Sequence, residues 1–285
     1  MVALIDSPDF ILGGKKVPKK KTQKFYYFIK GIFVGFIFKK FNGNFFTKLM
    51  NLLFNEKLTF NNNMYSKKIY LGYEINYPNK RITRLIGDEK VFFENLYNSY
   101  LLDKTRLQNG DCFIDCGANI GELYFSLLCK NIKTNYIAFE PDINVYNCLK
   151  KNVRNNSKLY QCALGFENKI TDFYLDTYGA NSSIVEIESN LITNVNQKKL
   201  DNYNLKNVKV LKVEAEGYEL EVLMGSENTL KTTEFVTVDY GNEKGKNQES
   251  TVVGVVNYLV SKNFEFIEDS SFRKVGLFRN KSFKI

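Results

Sequence analysis

The stretch that decides the fold is Cys112-Phe-Ile-Asp-Cys-Gly-Ala-Asn-Ile-Gly121, which Phe139-Glu-Pro141 follows eighteen residues later. Its first five residues form an apolar run of strand length, and a turn with two glycines and an apolar-faced helix come next. Tyr136–Phe139 is a second apolar strand, and each strand ends in an acid, Asp115 or Glu140. A strand, a turn, a helix and a strand in this order predict one nucleotide-binding half of a doubly wound sheet.

The turn between these strands favours one nucleotide ligand over others. Dinucleotide-binding turns follow the pattern G-x-G-x-x-G, whereas this one is Gly117-x-x-x-Gly121 with Asp115 before the first glycine. A carboxylate at that place repels a pyrophosphate but attracts the ammonium group of an amino acid. S-adenosylmethionine carries such an ammonium group and a ribose diol, and Glu140 lies where a carboxylate binds both ribose hydroxyls. We therefore predict a site for this methyl donor rather than for NAD or ATP.

Four blocks of the chain together resemble the FkbM-type methyltransferase family. They are Asp115-Cys-Gly-Ala-Asn-Ile-Gly121, Phe139-Glu-Pro141, Asn181-Ser-Ser183 and Leu211-Lys-Val-Glu-Ala-Glu-Gly-Tyr-Glu-Leu-Glu-Val-Leu-Met-Gly225. The resemblance implies a class I, Rossmann-like methyltransferase fold, S-adenosylmethionine as cofactor, and methylation of oxygen, commonly on hydroxyls of sugars or polyketides. The last block departs from the family's usual Lys-Ile-Asp-x-Glu-Gly at Glu214, which moves the carboxylate outward by about one methylene group.

The donor site should lie at the carboxyl ends of the strands, where doubly wound sheets bind their ligands. We predict that one set of residues binds the cofactor: Asp115, Gly117, Asn119, Gly121, Glu140, Pro141 and Ala163. Asp115 and Asn119 are expected to hold the methionine end and the turn. Glu140 is expected to bind the ribose, with Pro141 at the ribose rim and Ala163 beside the adenine.

Methyl transfer to a hydroxyl also needs a group that takes up the proton. The chain has no histidine, the commonest general base. Glu214 and Asp239 end two predicted strands, and we predict them as the catalytic base because a buried carboxylate beside another has a raised pKa. A divalent metal held by these acids and Asn242 is the alternative, and we do not favour it because oxygen ligands alone hold such ions loosely.

Ser182, Ser183 and Glu216 are the predicted contacts to the acceptor, although loop hydroxyls also bond their own backbone and acids also cap helices. We expect O-methylation of a sugar or surface glycan, as in polysaccharide biosynthesis. A methyltransferase for a small metabolite, a lipid or an amine is an alternative. A non-catalytic scaffold with the same fold is another, and the sequence does not name the acceptor.

The rest of the catalytic domain predicts an α/β fold. Strands alternate with helical patterns up to Val275–Arg279, which indicates a mostly parallel, doubly wound sheet with an antiparallel edge strand. The chain is 44% hydrophobic, enough for a sizeable core. Five cysteines without a C-x-x-C pair indicate reduced core thiols in a cytoplasmic protein.

Charge divides the chain into two predicted parts. Residues 1–84 carry a balance of +12 and residues 85–285 a balance of −3. We predict a basic, aromatic-rich, helical N-terminal extension over 1–84 and the methyltransferase domain over 85–285. Lysines between Lys15 and Lys24 precede Phe25–Phe38, which would form a helix of about 21 Å, too short for a bilayer core of about 30 Å.

Two interpretations of the extension remain open. The extension either lies on an anionic membrane surface, which would be the inner face of the membrane, or packs against the methyltransferase domain or another copy of the chain. Nucleic acid is not expected as a partner, because no base-reading module accompanies the basic block.

Overall fold

The computed structural model describes residues 21–154, 157–176, 182–186, 191–270 and 273–283. The chain divides into two compact units, residues 1–93 and 94–285. The predicted lysines Lys15 to Lys20 and the predicted motif residue Asn181 lie outside the described residues.

The N-terminal unit combines helices with a three-stranded antiparallel sheet in the order β1-β2-β3. Its elements are α1 (Lys21–Lys40), α2 (Gly43–Phe54), β1 (Leu58–Asn61), β2 (Met64–Lys68), β3 (Glu74–Tyr77) and the start of α3 (Glu89–Ser99). Among the described helices, none has the length and hydropathy that crossing a membrane requires.

The three strands of this unit were missed by the sequence analysis, which predicted helical structure alone. Strands β1 and β2 pair from Leu58 to Asn61, and the hairpin turns through Asn62 and Asn63 with φ angles of 51° and 57°. Two consecutive residues with positive φ make the tight turn that matches the twist of paired strands, and asparagine tolerates that conformation. The Asn-Asn pair was therefore the signal that could have revealed the hairpin.

A buried lysine ties the sheet of this unit to its helices. Nζ of Lys67 lies 2.8 Å from Oε2 of Glu56 and 2.9 Å from Oε2 of Glu89, and it donates a hydrogen bond of 2.5 Å to the carbonyl of Leu85. Glu56 follows α2 and Glu89 begins α3, so the ammonium joins segments from three parts of the unit. A buried charge is tolerated because two carboxylates and a carbonyl surround it.

The C-terminal unit is built around a seven-stranded sheet in the order β14-β15-β11-β10-β4-β5-β6. Its first strands are β4 (Cys112–Cys116), β5 (Asn135–Phe139), β6 (Lys158–Tyr160), β7 (Ala163–Leu164), β8 (Lys169–Tyr174) and β9 (Ile192–Lys198). The later strands are β10 (Val208–Val213), β11 (Thr233–Asp239), β12 (Asn242–Lys244), β13 (Glu249–Ser250), β14 (Phe264–Asp269) and β15 (Val275–Asn280). Its further helices are α4 (Glu122–Cys129), α5 (Ile143–Asn152), α6 (Glu219–Met224), α7 (Glu227–Lys231) and α8 (Val252–Ser261).

The directions of these strands confirm the predicted fold class. Strands β11, β10, β4, β5 and β6 are parallel to one another, whereas β15 pairs antiparallel with both β11 and β14. The sheet is therefore mostly parallel and ends in an antiparallel hairpin, the topology of a class I, Rossmann-like methyltransferase. Strands β7, β9 and β8 form a separate small sheet.

The central strands are apolar on both faces, as helices cover both sides of a parallel sheet. Phe113 packs in one buried cluster and its neighbour Ile114 in the other, because successive side chains of a strand point to opposite faces. Asp115 and Lys212 are register partners on β4 and β10, on the Phe113 side. This register brings two charged side chains together inside the sheet.

The helical segment that follows β10 is broken into α6 and α7. The break falls at Gly225, where a Cβ atom would come within 1.9 Å of the carbonyl oxygen of Gly165. Close approach of another backbone at this point ends the first helix, which hydrophobic periodicity cannot reveal.

Replacing Lys67 by Met is expected to destabilise the N-terminal unit by about 3–5 kcal/mol, because two carboxylates would stay buried without their cation. Urea unfolding followed by circular dichroism measures the change. The adjacent Lys68 is exposed, so Lys68→Met is a matched control that should shift stability by under about 0.5 kcal/mol. Equal effects of the two substitutions would show that the buried ion pairs do not stabilise the unit.

Candidate active site

The turn after β4 has an unusual backbone in which alternate residues adopt positive φ. The φ angles are +74° at Gly117, 51° at Asn119 and +88° at Gly121. A Cβ atom at Gly117 would lie 1.9 Å from the carbonyl oxygen of Glu214, so the turn lies directly against the chain that leaves β10. Glycine at 117 is thus required by contact with a neighbouring strand end, in addition to any contact with a ligand.

Glu140 closes the turn from the end of β5. Its Oε2 accepts a hydrogen bond of 3.0 Å from the N–H of Asn119, and its Oε1 accepts one of 2.9 Å from the N–H of Asp142. Burial raises the pKa of Glu140 to about 8, although these two N–H groups oppose the rise. The two donors use part of the carboxylate's capacity of about four acceptor positions, and the remainder suits a pair of hydroxyls.

Asp115 lies beneath the turn and is fully buried, with 0% exposure. One of its oxygens lies 2.9 Å from Nζ of Lys212, and the other accepts a hydrogen bond from the hydroxyl of Tyr136. The predicted contact of Asp115 with the donor's ammonium group stays a prediction, and it would require the carboxylate to exchange one of these partners. In this structure Asp115 supports the turn through Lys212.

Lys212 binds both the turn and the next strand end. Its Nζ donates to the carbonyl oxygens of Cys116 and Gly117 at 3.1 and 2.8 Å, and it lies 3.0 Å from Oε2 of Glu214. Burial by itself would lower the pKa of Lys212, but Asp115 and Glu214 outweigh it and raise the pKa above its ordinary value. The ammonium is therefore a fixed charge that holds the ends of β4 and β10 together.

The carboxylate of Glu214 contacts two cations, Lys212 and Arg273, and the hydroxyl of Tyr100. Nη2 of Arg273 lies 2.6 Å from its Oε1, and the hydroxyl of Tyr100 donates to its Oε2 at 2.5 Å. Burial would raise the pKa of Glu214, but Lys212 and Arg273 reverse the shift and hold the pKa well below its ordinary value. The carboxylate is consequently ionised and has both oxygens in use.

Asp239, at the end of β11, shares Arg273 with Glu214. The same Nη2 atom lies 2.5 Å from Oδ2 of Asp239. Burial and the neighbouring charge of Glu214 raise the pKa of Asp239, and Arg273 opposes the rise. The two predicted bases are thus brought together by one guanidinium group, and Asp239 is the more basic of the pair.

Further carboxyl groups lie beside this pair. Burial and repulsion by other acids raise the pKa of Glu216 well above its ordinary value and that of Glu243 to about 8. Glu219 instead organises the loop, because its Oε1 accepts hydrogen bonds from the N–H groups of Ala215 and Gly217 at 3.0 and 2.9 Å. Within the described ranges, no group of three or more His, Cys, Asp or Glu side chains has the arrangement of a metal site.

The two predicted serines bond to the backbone. The hydroxyl of Ser183 donates to the carbonyl of Glu216 at 2.8 Å, and the hydroxyl of Ser182 accepts from the N–H of Asp176 at 2.9 Å. Ser183 therefore joins its loop to the acidic segment. Pro141 is half-buried after Glu140, and Ala163 is buried in a small cluster with Phe173 and Val195. Their predicted contacts to acceptor or donor remain predictions.

Three residues of this network were missed by the sequence analysis: Tyr100, Lys212 and Arg273. Lys212 stands in a quoted motif, and a lysine inside an otherwise apolar strand was the signal that could have singled it out. Tyr100 and Arg273 reach the site from parts of the chain distant in sequence, and no local pattern marks them.

The model of the FkbM methyltransferase domain matches residues 115–266, more than half of the chain. This chain belongs to the FkbM methyltransferase family. S-adenosylmethionine, predicted from the first motif, is thereby confirmed as the cofactor, and the acceptor capacity left at Glu140 fits its ribose diol.

Individual relatives are distant from this FkbM protein. It is 25% identical over 166 residues to "Methyltransferase 1" of Beauveria bassiana, which covers 48% of this chain and 65% of that protein. It is 27% identical over 165 residues to the hexuronic acid methyltransferase AglP of Haloferax volcanii, which covers 56% of this chain and 64% of that protein. The chain thus spans under two thirds of the length of these curated relatives.

Among solved structures, the chain is similar to the methyltransferase FkbM from Methylobacillus flagellatus KT. The TM-score is 0.44 at 16% identity, and the similarity covers 61% of this chain and 44% of that one.

Replacing Glu140 by Gln is expected to weaken binding of S-adenosylhomocysteine by roughly ten- to a hundred-fold, because an amide NH2 group replaces one of the two acceptor oxygens and a buried partner left unsatisfied costs about 1–3 kcal/mol. Calorimetric titration measures the affinity. Glu265→Gln, at an exposed position of β14, is the control and should bind as the wild type does. Asp115→Asn should lower both the affinity for S-adenosylhomocysteine and the free energy of unfolding, since the carboxylate of Asp115 pairs with Lys212. Unchanged affinity of the Glu140→Gln variant would show that Glu140 does not bind the ribose.

Proposed function

We propose that this protein is an S-adenosylmethionine-dependent methyltransferase that methylates a hydroxyl group of a sugar unit in a glycan. The observation that carries the proposal is Asp239, a buried carboxyl with a raised pKa at the end of β11, the strand next to β10. The two sides of the site are adjacent, because the N–H of Glu214 donates to the carbonyl of Cys116 at 3.2 Å and Glu214 shares Arg273 with Asp239.

Asp239 is the better general base of the two predicted acids. Both oxygens of Glu214 are bound by cations or by Tyr100, and the lowered pKa of Glu214 makes it a poor proton acceptor. Asp239 has a raised pKa, which brings it closer to the range in which a carboxylate accepts a proton efficiently. Glu214 then acts as the charge that holds Arg273 in place and keeps Asp239 basic.

The proton taken from the acceptor thus has a defined destination. Asp239 would take the proton of the acceptor hydroxyl as the methyl group leaves the donor's sulfur for the hydroxyl oxygen, which releases S-adenosylhomocysteine. S-adenosylmethionine supplies an electrophilic methyl group when bound. Arg273 stabilises the ionised form of Asp239 before the reaction, and Tyr100 keeps Glu214 oriented.

Carboxyl groups with raised pKa support a sugar as the acceptor. Glu243, whose pKa is raised to about 8, carries a proton near neutral pH, so it can both donate and accept hydrogen bonds, as sugar hydroxyls do. Burial and neighbouring acids shift the pKa of Glu216 in the same direction. The name of one relative, a hexuronic acid methyltransferase, points in the same direction. A role in polysaccharide biosynthesis in the cytoplasm, with acceptors presented at the inner face of a membrane, belongs to the same proposal.

The alternatives differ in what they predict for turnover. A small metabolite, lipid or amine acceptor keeps donor binding and transfer, whereas a scaffold keeps donor binding alone. Incubation with methyl-labelled donor and a panel of neutral glycans, uronate-bearing glycans, amines and lipids separates them. Label on a glycan hydroxyl supports the proposal, label on amines or lipids alone moves the acceptor class, and donor binding without transfer to any member indicates a scaffold.

Replacing Asp239 by Asn is expected to lower kcat by about 10²–10⁴, because the amide cannot take the proton. The affinity for S-adenosylhomocysteine should stay within about twofold, since Asp239 lies on the acceptor side of the turn. Initial rates and calorimetric titration measure the two quantities. Turnover at the wild-type rate would assign proton removal to another group, and the donor titration shows whether the variant is folded.

The pH dependence of turnover should shift in opposite directions in two variants. Asp239 must be ionised to act, so kcat falls as the pH drops through its pKa. Arg273→Met removes the charge that opposes the raised pKa, and the acidic limb of the profile should move to higher pH. Glu214→Gln removes a negative charge that raises the pKa of Asp239, and the acidic limb of the profile should therefore move to lower pH.

A matched control for this comparison is Lys274→Met, which removes the neighbouring cation. Lys274 is exposed and contacts Asn242 at 2.8 Å, away from both carboxylates. Its profile should coincide with that of the wild type. Shifts of the same sign in both site variants would exclude Asp239 as the group that sets the limb.

A further inference from the structure

One side of α1 presents a continuous row of apolar side chains to solvent. Its members are 48–66% exposed and follow one another at intervals of one or three residues: Phe25, Phe28, Ile29, Ile32, Phe33 and Phe36. At about 100° per residue they occupy one sector of about 140° of the helix. The opposite side carries Val34, Ile37 and Phe38, which are at most 9% exposed. We call the exposed row the α1 stripe.

Aromatic contacts extend the α1 stripe onto α2. The ring of Phe41 lies 6.0 Å from that of Phe36 and 4.8 Å from that of Phe45, centre to centre. Phe45 is itself 55% exposed. Single exposed apolar residues are ordinary on a protein surface, but a contiguous patch of this kind marks an interaction surface.

The charge around the α1 stripe is of one sign. Residues 21–54 contain six lysines and no Asp or Glu. Lys39 and Lys40, both exposed, fall within the same sector of the helix as the stripe, at its C-terminal end. Long lysine side chains lay their methylene groups along an apolar surface and extend the ammonium beyond it. The surface therefore combines apolar side chains with cations that point the same way.

We propose that the α1 stripe is a lipid-facing surface, on which the N-terminal unit lies along an anionic bilayer with α1 in the interfacial plane. A helix that presents aromatic side chains and lysines on the same exposed face suits such an interface. Residues 21–54 contain no acidic residue that could balance Lys39 and Lys40. Anionic headgroups would supply that negative charge. A second copy of this chain would bring the same lysines and no acid on this face, so it is the less favourable occupant.

The chain contains no tryptophan, so a single introduced one reports on a chosen surface. Phe33→Trp places it on the α1 stripe, and Phe266→Trp places a control on β14 at similar exposure, 49% against 44%. Vesicles of equal parts phosphatidylglycerol and phosphatidylcholine should shift the Phe33→Trp emission to the blue, and brominated acyl chains should quench it. The control should not respond. The response should weaken between about 0.1 and 1 M salt, as the Debye length falls from about 10 to 3 Å.

A second comparison tests the apolar contribution directly. A triple variant combines Phe28→Ser, Ile32→Ser and Phe36→Ser. Its partition coefficient onto these vesicles, measured from the fraction of protein that sediments with them, should fall at least about tenfold. The matched control combines Ile170→Ser, Ile192→Ser and Val253→Ser, exposed apolar residues of the C-terminal unit. S-adenosylhomocysteine binding shows that each triple variant is folded, and lipid binding is read without methyl transfer.

Three results would overturn the proposal. Equal sedimentation of both triple variants, or no response of Phe33→Trp to vesicles, would exclude a lipid contact of the α1 stripe. A blue shift that appears without vesicles and grows with protein concentration would assign the stripe to a second copy of the chain.

Discussion

Lys212 has 2% exposure in the middle of the main sheet, and its ammonium contacts two carboxylates and two backbone carbonyls. Removing such a charge from water costs several kcal/mol, which only close partners on all sides can offset. These partners are the last residues of β4, the turn that follows, and the residue after β10. The relative position of the turn after β4 and the segment after β10 is therefore set by the coordination of one cation. Methionine has nearly the volume of lysine, but it would leave Asp115 and Glu214 facing each other without a charge between them.

The charges of the site follow from this arrangement. Two cations, Lys212 and Arg273, pair with three acids at the ends of β4, β10 and β11, which are Asp115, Glu214 and Asp239. Glu216 and Glu243 interact electrostatically with these groups. The two cations keep Glu214 ionised, whereas burial and mutual repulsion raise the pKa of Glu216 and raise that of Glu243 to about 8. The acidity of the carboxyl groups therefore falls across the site, from the ionised, tightly paired Glu214 beside the turn to Glu243, which is protonated near neutral pH. Neutral carboxyl groups pair with hydroxyls without the cost of burying an extra charge.

The strands that carry the site were predictable because they are apolar runs with acids at their ends, as at Cys112–Cys116 and Val208–Val213. The role of Asp115 could not be predicted in the same way. Successive side chains of a strand point to opposite faces, and the motif alone does not predict which residue contacts Asp115 on its face of the sheet. That partner is Lys212, whose register follows from the pairing of β4 with β10. Arg273 and Tyr100 were out of reach for a related reason, since tertiary packing brings them to Glu214 from positions 59 and 114 residues away.

The departure of this chain from the family's usual motif acquires a physical meaning in the same network. Glu214 stands where an aspartate is common, and its carboxylate contacts Lys212, Arg273 and the hydroxyl of Tyr100 at 3.0, 2.6 and 2.5 Å. A side chain shorter by about one methylene group, roughly 1.5 Å, could not keep all three contacts at hydrogen-bonding distance without movement of the strand. Arg273 would then depend on Asp239 alone, and the full charge of the guanidinium on that carboxylate would lower its pKa. The longer side chain divides Arg273 between two acids, which is the condition under which Asp239 stays basic.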